Sequence, residues 1–377
     1  MKVYLDNAAT TAIDPEVVEA MIPVLREKFG NPSSIHHFGR EARTLVEEAR
    51  KKVAAYLNVS PAEIFFTSGG TEANNMAIRC TVNDMKIKDV ISSRIEHHAV
   101  LHTLEELQKE GEITLHFVNL DEKGNVDMDH MEELLKSCGR CLVSLMHANN
   151  EIGTMLPIKK VGEICEKYNA VFHSDTVQTM GHYNIDLQNI KVHFVNCSAH
   201  KFHGPKGIGF IYINSKVKIH PLIYGGGQER NMRGGTENIY GIIGLAKAME
   251  VAYRDLEKDQ KYITSLKKYM MKKLKEEITG IHYNGPVDED ALYTVLNVCL
   301  PATEMAEMLL FSLDIAGIAA SGGSACSSGS NVGSHVLKAI NADPERPSVR
   351  FSFCKYNTKE EIDFCVDKIK ELYLVKV

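Results

Sequence analysis

At 377 residues the chain is longer than a typical single core and suits two domains sharing an interface. Its 44% hydrophobic and 24% charged residues are ordinary for a soluble protein. A formal net charge of -6, with no large basic block, argues against nucleic acid or an acidic membrane surface as partner.

The amino terminus reaches Asp6 before any signal-peptide apolar run forms. The most apolar later stretch, 308–320, is interrupted by Asp314 and too short to span a bilayer. Nine scattered cysteines, an odd count, read as reduced thiols. A soluble, cytoplasmic protein is expected.

In chain order, Asp14 is placed as N-cap and Pro15 as first residue of an opening helix. Apolar residues at 42, 45, 46, 49, 53, 54 and 57 predict an amphipathic helix over 42–57. Ser60-Pro61-Ala62-Glu63 spells a capping box for a short turn, and 64–67 reads as a strand. Further strands are predicted at 90–91, 113–118, 141–146, 171–174, 192–197 and 208–213, with helices at 98–110, 128–136 and 158–168 between the earlier ones. Several strands are near-continuous apolar runs, as expected when helices cover both sheet faces, so a mainly parallel α/β sheet follows. One long connecting helix is predicted from 240 toward 278, through a charged stretch at 254–261. Strands at 294–300 and 348–353 and a last helix at 359–372 suggest a smaller α+β domain. The expected division is 13–255 for the large domain, and 1–12 with 256–377 for the small one. Within the latter, 321–333 holds nine Gly or Ser residues in thirteen, a composition that favours flexibility.

Four features carry chemistry. Lys201 follows a predicted strand in Ser198-Ala199-His200-Lys201, at the sheet mouth where α/β folds bind ligands, and a lysine there can join a carbonyl cofactor. Asp175 follows another strand and would keep a pyridine-type ring nitrogen protonated. In 67–75, strand, Gly69-Gly70 turn and helix make a phosphate cradle, without the Gly-Lys-Ser/Thr of a nucleotide loop. Glu96-His97-His98 offers an imidazole to lie on a ring and move protons. Taken singly, each has an ordinary structural explanation; the pairing of Asp175 with Lys201 on two strand ends lifts both.

The chain resembles the class V cysteine desulfurases of the pyridoxal-phosphate (PLP) aminotransferase superfamily, of the bacterial sulfur-mobilising type. The resemblance runs through 4–11, Gly30-Asn31-Pro32-Ser33-Ser34, 66–75 and 147–153. It continues in 198–201, Gly204-Pro205-Lys206-Gly207, 225–229, 233–238, Ser324-Ala325-Cys326 and 349–352. It implies a PLP-dependent transferase fold of type I and a homodimer. It further implies that Lys201 bears PLP, Asp175 pairs with the ring nitrogen, Gln178 contacts the phenolic oxygen and His97 stacks on the ring. Gly70, Thr71, Ser198 and His200 would hold the phosphate, with Thr236 added from the neighbouring subunit. Asn150 and Arg350 would hold the substrate, L-cysteine. Independently, Val349, Phe351 and Phe353 share one strand face and leave Arg350 on the other, where a guanidinium suits a carboxylate.

Cys326 selects the reaction. It sits among glycines and serines, unlike Cys197 or Cys299 in apolar runs, and so reads as an accessible nucleophile. The expected activity is removal of sulfur from L-cysteine to give L-alanine and a persulfide on Cys326. An acceptor protein would then take the sulfur for iron–sulfur cluster or thio-cofactor synthesis. The alternatives are a selenocysteine lyase or other class V PLP enzyme, and a non-catalytic sulfur-relay scaffold. Cys138-Gly139-Arg140-Cys141 has the spacing of a redox pair or of half a zinc site, but no second pair or His-x-x-x-His completes a zinc site and Cys141 begins an apolar strand, so it reads as structural and no catalytic metal is expected. Two departures from the family pattern stand out: Asn331-Val332-Gly333 after Cys326, and Cys354-Lys355 after the Arg350 strand, the latter expected to alter the substrate wall.

Overall fold

A computed structural model describes residues 1–303, 306–322 and 333–374. Its strands are β1 Val3–Tyr4, β2 Ile64–Thr67, β3 Asp89–Ser92, β4 Thr114–Phe117, β5 Leu142–Ser144, β6 Val171–Ser174, β7 Phe194–Ser198, β8 Gly209–Ile213, β9 His282–Asn284, β10 Val295–Cys299, β11 Ile318–Ala319 and β12 Ser348–Ser352. Its helices are α1 Pro15–Glu27, α2 His37–Tyr56, α3 Gly70–Asn75, α4 Thr81–Met85, α5 His98–Lys109, α6 Met128–Ser137, α7 Ile158–Lys167, α8 Ile239–Arg254, α9 Leu256–Glu277, α10 Leu309–Ile315, α11 His335–Ala339 and α12 Lys359–Leu374. A π-turn, Met76–Cys80, joins α3 to α4. Among the described residues no helix is long and apolar enough to cross a membrane.

A seven-stranded sheet runs in the order β2-β8-β7-β6-β5-β3-β4, and only β8 is antiparallel to its neighbours. Strands β2, β6, β7 and β8 are buried at every position because helices cover both faces, which explains their lack of polar alternation. The fold is therefore the mainly parallel α/β architecture expected. A second apolar core forms around the antiparallel sheet β12-β10-β9. Val3 and Leu5 join it from the amino terminus, where β1 pairs with β11.

Two differences from the sequence reading exceed a couple of residues. Helix α2 starts at His37, with the His36 side chain accepting from Gly39 N, whereas apolar spacing reveals only 42–57. The early turn carries Phe38, which faces solvent and leaves no stripe to read. The long helix predicted from 240 to 278 is two helices that meet at Asp255. Ile242, Leu245 and Met249 of α8 serve the large core, while Ile263, Leu266, Met270 and Leu274 of α9 serve the small one. One straight helix cannot aim both stripes correctly, so the chain turns at Asp255, where Arg254 binds both Asp255 and Glu16.

A buried ion pair supports the strand that leads to the predicted phosphate turn. Arg50 of α2 donates to Glu229 at 2.7 and 2.8 Å and to Ile64 O at 2.9 Å, while Glu229 also accepts from Phe66 N. Both side chains are 2% exposed, so water cannot replace a lost partner. Replacing Arg50 with methionine is expected to destabilise the fold by about 3–5 kcal/mol through the stranded Glu229 charge. Denaturant unfolding would measure this; an unchanged midpoint would show that the Arg50–Glu229 pair does not hold the fold.

Candidate active site

The carboxyl ends of the parallel strands open onto one cavity of about 270 Å³. It is lined by Gly70, Thr71, His97, Asn150, Asp175, Gln178, Ser198, His200, Lys201 and Arg350, together with Ala8, Ala9, Asn74, Met146 and Val177. Gly70, Thr71, His97, Asn150, Asp175, Gln178, His200 and Lys201 follow β2, β3, β5, β6 and β7, whose order brings them to one rim; Ser198 ends β7, and Arg350 reaches the cavity from β12 of the second sheet. Thr236 is exposed and does not line its own chain's cavity. Cys326 lies outside the described residues.

Lys201 ends a short 3-10 turn, Ala199–Lys201, directly after β7. Its Nζ donates to Ala8 O at 2.7 Å and Ala9 O at 2.9 Å, and Gln178 Nε2 also donates to Ala8 O. The amino-terminal segment is thus a strap across the site. Farther back on that strap, Asp6 accepts from Arg350 Nη2 at 2.7 Å. Arg350 Nη1 donates to Asn150 O at 3.0 Å, while its buried Nε has no hydrogen-bond partner among the described residues. An unsatisfied buried donor of this kind awaits an acceptor.

Asp175 is held from behind. Its Oδ2 accepts from Asn74 Nδ2 at 2.7 Å, its Oδ1 accepts from Val177 N, and Asn196 donates in turn to Asn74 Oδ1. Gly70 packs tightly: a Cβ there would lie 2.6 Å from Val177 Cγ2 and 3.0 Å from Ser198 Oγ. Gly70 N donates to Ser198 Oγ at 2.7 Å, so a backbone N–H at the start of α3 and a hydroxyl meet at one point. Glu72, in the first turn of this element, accepts from both Arg233 Nε and Ser68 N. Arg233 therefore ties the turn to the segment that carries Thr236.

His97 caps α5, its Nδ1 accepting from Ala99 N at 3.1 Å. That bond leaves the ring proton of the neutral form on Nε2. Burial pulls the His97 pKa down; the Asp175 charge opposes this, and Lys201 adds to it. Behind it, burial pushes the Glu96 carboxyl up to about 8, with the Asp175 charge adding. Glu96 is thus largely neutral at pH 7, accepting from Ser93 Oγ and Met146 N.

Sequence reasoning missed Asp6, Asn74, Asn196 and Glu96 as supports. Asn74 had a legible signal, since it lies four residues after Gly70 and shares its helix face. The others depend on which strands become neighbours. The departure at Cys354-Lys355 also falls elsewhere: Lys355 Nζ donates to Asp14 Oδ2 at 2.6 Å, and neither residue lines the cavity. The substrate wall is untouched because that side chain is spent on the cap of α1.

The family profile of class-V aminotransferases matches residues 3–364. The chain is 46% identical over 376 residues to the cysteine desulfurase IscS of Dictyoglomus turgidum, covering 98% of this chain and 94% of that one. It is 43% identical to the putative cysteine desulfurase IscS 1 of Bacillus subtilis, with 96% of each covered. Among solved structures, a NifS-like protein superposes with a TM-score of 0.91 at 40% identity over 99% of both chains. SspA in complex with cysteine superposes with a TM-score of 0.82 at 30% identity, over 95% of this chain and 100% of that one.

Proposed function

The chain belongs to the class-V aminotransferase family, and from that premise we propose that it is a PLP-dependent cysteine desulfurase, converting L-cysteine to L-alanine and carrying the sulfur as a persulfide on Cys326. The observation that carries this reading is the convergence of Lys201, Asp175 and Arg350 on one cavity.

The residues present fit the cofactor. An amine, a carboxylate and a glycine cradle meeting a hydroxyl suit its carbonyl, its ring nitrogen and its phosphate respectively. When bound, PLP supplies a carbonyl that takes up amines and a ring that draws electrons from the substrate α-carbon. Lys201 would hold it covalently, Asp175 its ring nitrogen, Gln178 its phenolic oxygen and His97 its ring. Gly70, Thr71, Ser198 and His200 would hold the phosphate. Asn74 and Asn196 keep the Asp175 carboxylate aimed without neutralising it.

The chain's own groups then manage substrate and protons. Arg350 would bind the substrate carboxylate through Nε, while its contacts with Asp6 and Asn150 hold the guanidinium plane. Asn150, beside it, would complete the substrate contact. Lys201, freed when the substrate amine takes its place, would take the α-proton. His97 would carry a proton at Nε2 to or from the reacting sulfur. The Cys326 thiolate would attack that sulfur, forming an S–S bond as the substrate Cβ–S bond breaks. An acceptor protein would then remove the outer sulfur, for iron–sulfur cluster or thio-cofactor synthesis.

A homodimer is part of the proposal, with Thr236 reaching the phosphate of the other subunit. Its support is the exposed Thr236 and Tyr224, on segments joined by Gly234 N donating to Ile223 O, and the uncovered Phe29, Ile35 and Phe38. The division into 13–255, and 1–12 with 256–377, is likewise proposed, on the separate apolar cores. A reducing, cytoplasmic setting is supported by eight described cysteines that are all unbridged.

The test is formation of alanine from L-cysteine by the PLP-loaded protein, with Arg350→Ala as control. Loss of a charge-assisted carboxylate contact worth about 1.5–3 kcal/mol should cut kcat/KM by roughly 10–100-fold, mostly through KM. No alanine from the wild type would overturn the activity. An unchanged KM in the variant would remove Arg350 from the substrate site.

A further inference from the structure

Away from the cavity, Asp89, His116 and Cys138 bring a carboxylate, an imidazole and a thiol together. One ligand atom from each lies within 4.8 Å of the other two. The fold assembles them from three elements. Asp89 opens β3 and His116 lies on β4, the outer strand of the large sheet. In the parallel register Asp89 faces Thr114 and Ile91 faces His116. Alternation then puts Asp89 and His116 diagonally on one face. His116 Nε2 lies 2.8 Å from Asp89 Oδ1. Cys138 caps the carboxyl end of α6, its N–H donating to Leu134 O.

The geometry points to a binding site for a divalent ion of the zinc class, held by Asp89, His116 and Cys138 with water as fourth ligand. Sulfur, nitrogen and oxygen donors in one trio suit a borderline-soft ion in tetrahedral coordination. The side chains of Asp89 and His116 are 33% and 28% exposed and Cys138 is half-buried, so an ion can enter while the site stays defined. On binding, the ion takes the place of the His116–Asp89 hydrogen bond: the proton that Nε2 shares with Asp89 leaves that nitrogen, the neutral imidazole carries its one proton on Nδ1, and the Cys138 thiol proton leaves to solvent.

This arrangement gives Cys138-Gly139-Arg140-Cys141 a different meaning. Cys141 is 1% exposed, and burial pushes its thiol up to about 12, with Cys138 adding. It is a core residue and not the second ligand. The partners of Cys138 come from two strands that the linear spacing does not reveal. The site sits at the amino ends of β3 and the chain entering β5, whereas the cavity opens at their carboxyl ends. A bound ion would tie the end of α6 to the outer strand and brace the exposed sheet edge. It takes no part in the desulfuration chemistry.

The test is titration of the metal-stripped, PLP-loaded protein with Co²⁺, reading the d–d bands of a thiolate-containing tetrahedral site, then competing with Zn²⁺. Wild type and Cys326→Ala should both take up one equivalent, and Zn²⁺ should displace it. C138S and H116Q should bind about 100-fold or more weakly, with unchanged alanine formation showing that both variants are folded. Zinc should raise the thermal midpoint of the wild type and of neither variant. The proposal is overturned if either variant binds as tightly as wild type, if Cys326→Ala alone abolishes binding, or if the wild type takes up no stoichiometric ion.

Discussion

Replacing Lys201 with alanine or arginine is expected to lower alanine formation from L-cysteine by about 10⁴-fold or more. The amine sits at the rim of the sheet, fixed by two backbone carbonyls of the amino-terminal strap at 2.7 and 2.9 Å. Two tasks fall to that one nitrogen under the proposed function: joining the cofactor, and taking the substrate α-proton. Alanine removes both. Arginine keeps the positive charge and much of the volume, but its delocalised guanidinium neither joins a carbonyl nor gives up a proton near neutral pH. The arginine variant therefore separates chemistry from electrostatics. Both variants should also lose the visible absorption of lysine-bound cofactor. Activity in either above about a tenth of wild type would exclude Lys201 as the reacting amine.

Removal of the Cys326 thiol is expected to leave cofactor absorption intact while stopping sulfur transfer. Cys326→Ala should reduce alanine formation by roughly 10³-fold or more, since nothing else takes the sulfur. The described residues on either side of it are anchored next to the cavity. Ser321 exchanges backbone hydrogen bonds with Arg350, whose side chain lines the cavity. On the other side, Ser334 Oγ donates to Glu151 and His335 Nε2 meets Glu96 O, beside His97. Cys326 is five residues beyond Ser321, a reach of up to about 17 Å for an extended chain. Mass spectrometry after exposure to L-cysteine should find one added sulfur on the Cys326 peptide of the wild type and none in the variant. Sulfur on Cys138 or another cysteine would reassign the nucleophile.

How much of this could be read from residues alone depended on the range of the interactions. The Asp14 cap, the Ser60–Glu63 capping box and the apolar strands 171–174 and 208–213 were legible because their partners lie within a few residues or within one repeating face. Ten cavity residues were legible too: Lys201 and Asp175 from their strand-end positions, Gly70 and Thr71 from the strand–glycine–helix pattern, His97 from its place after a strand, Arg350 from its strand face, and Asn150, Gln178, Ser198 and His200 through the family resemblance. The strap was not: its motif was plain, but its contacts with Lys201 and Arg350 join residues about 190 and 340 positions apart. The break at Asp255 was hidden for a related reason, since which core a helical stripe faces is not written in the stripe.

By itself the sequence determined the alternation of strands and helices, the side chains at the strand ends, and the thiol placed among small residues. Those properties follow from local sterics, caps and periodicity, which act over one turn or one pleat. Only the tertiary structure decided that Asn74 backs Asp175, that Asp6 braces Arg350, that Arg50 is sealed against Glu229, and that Cys138 meets Asp89 and His116. The physical reason is the sheet itself: the order β2-β8-β7-β6-β5-β3-β4 is set by burying all apolar faces at once, and that global solution chooses each side chain's distant neighbours.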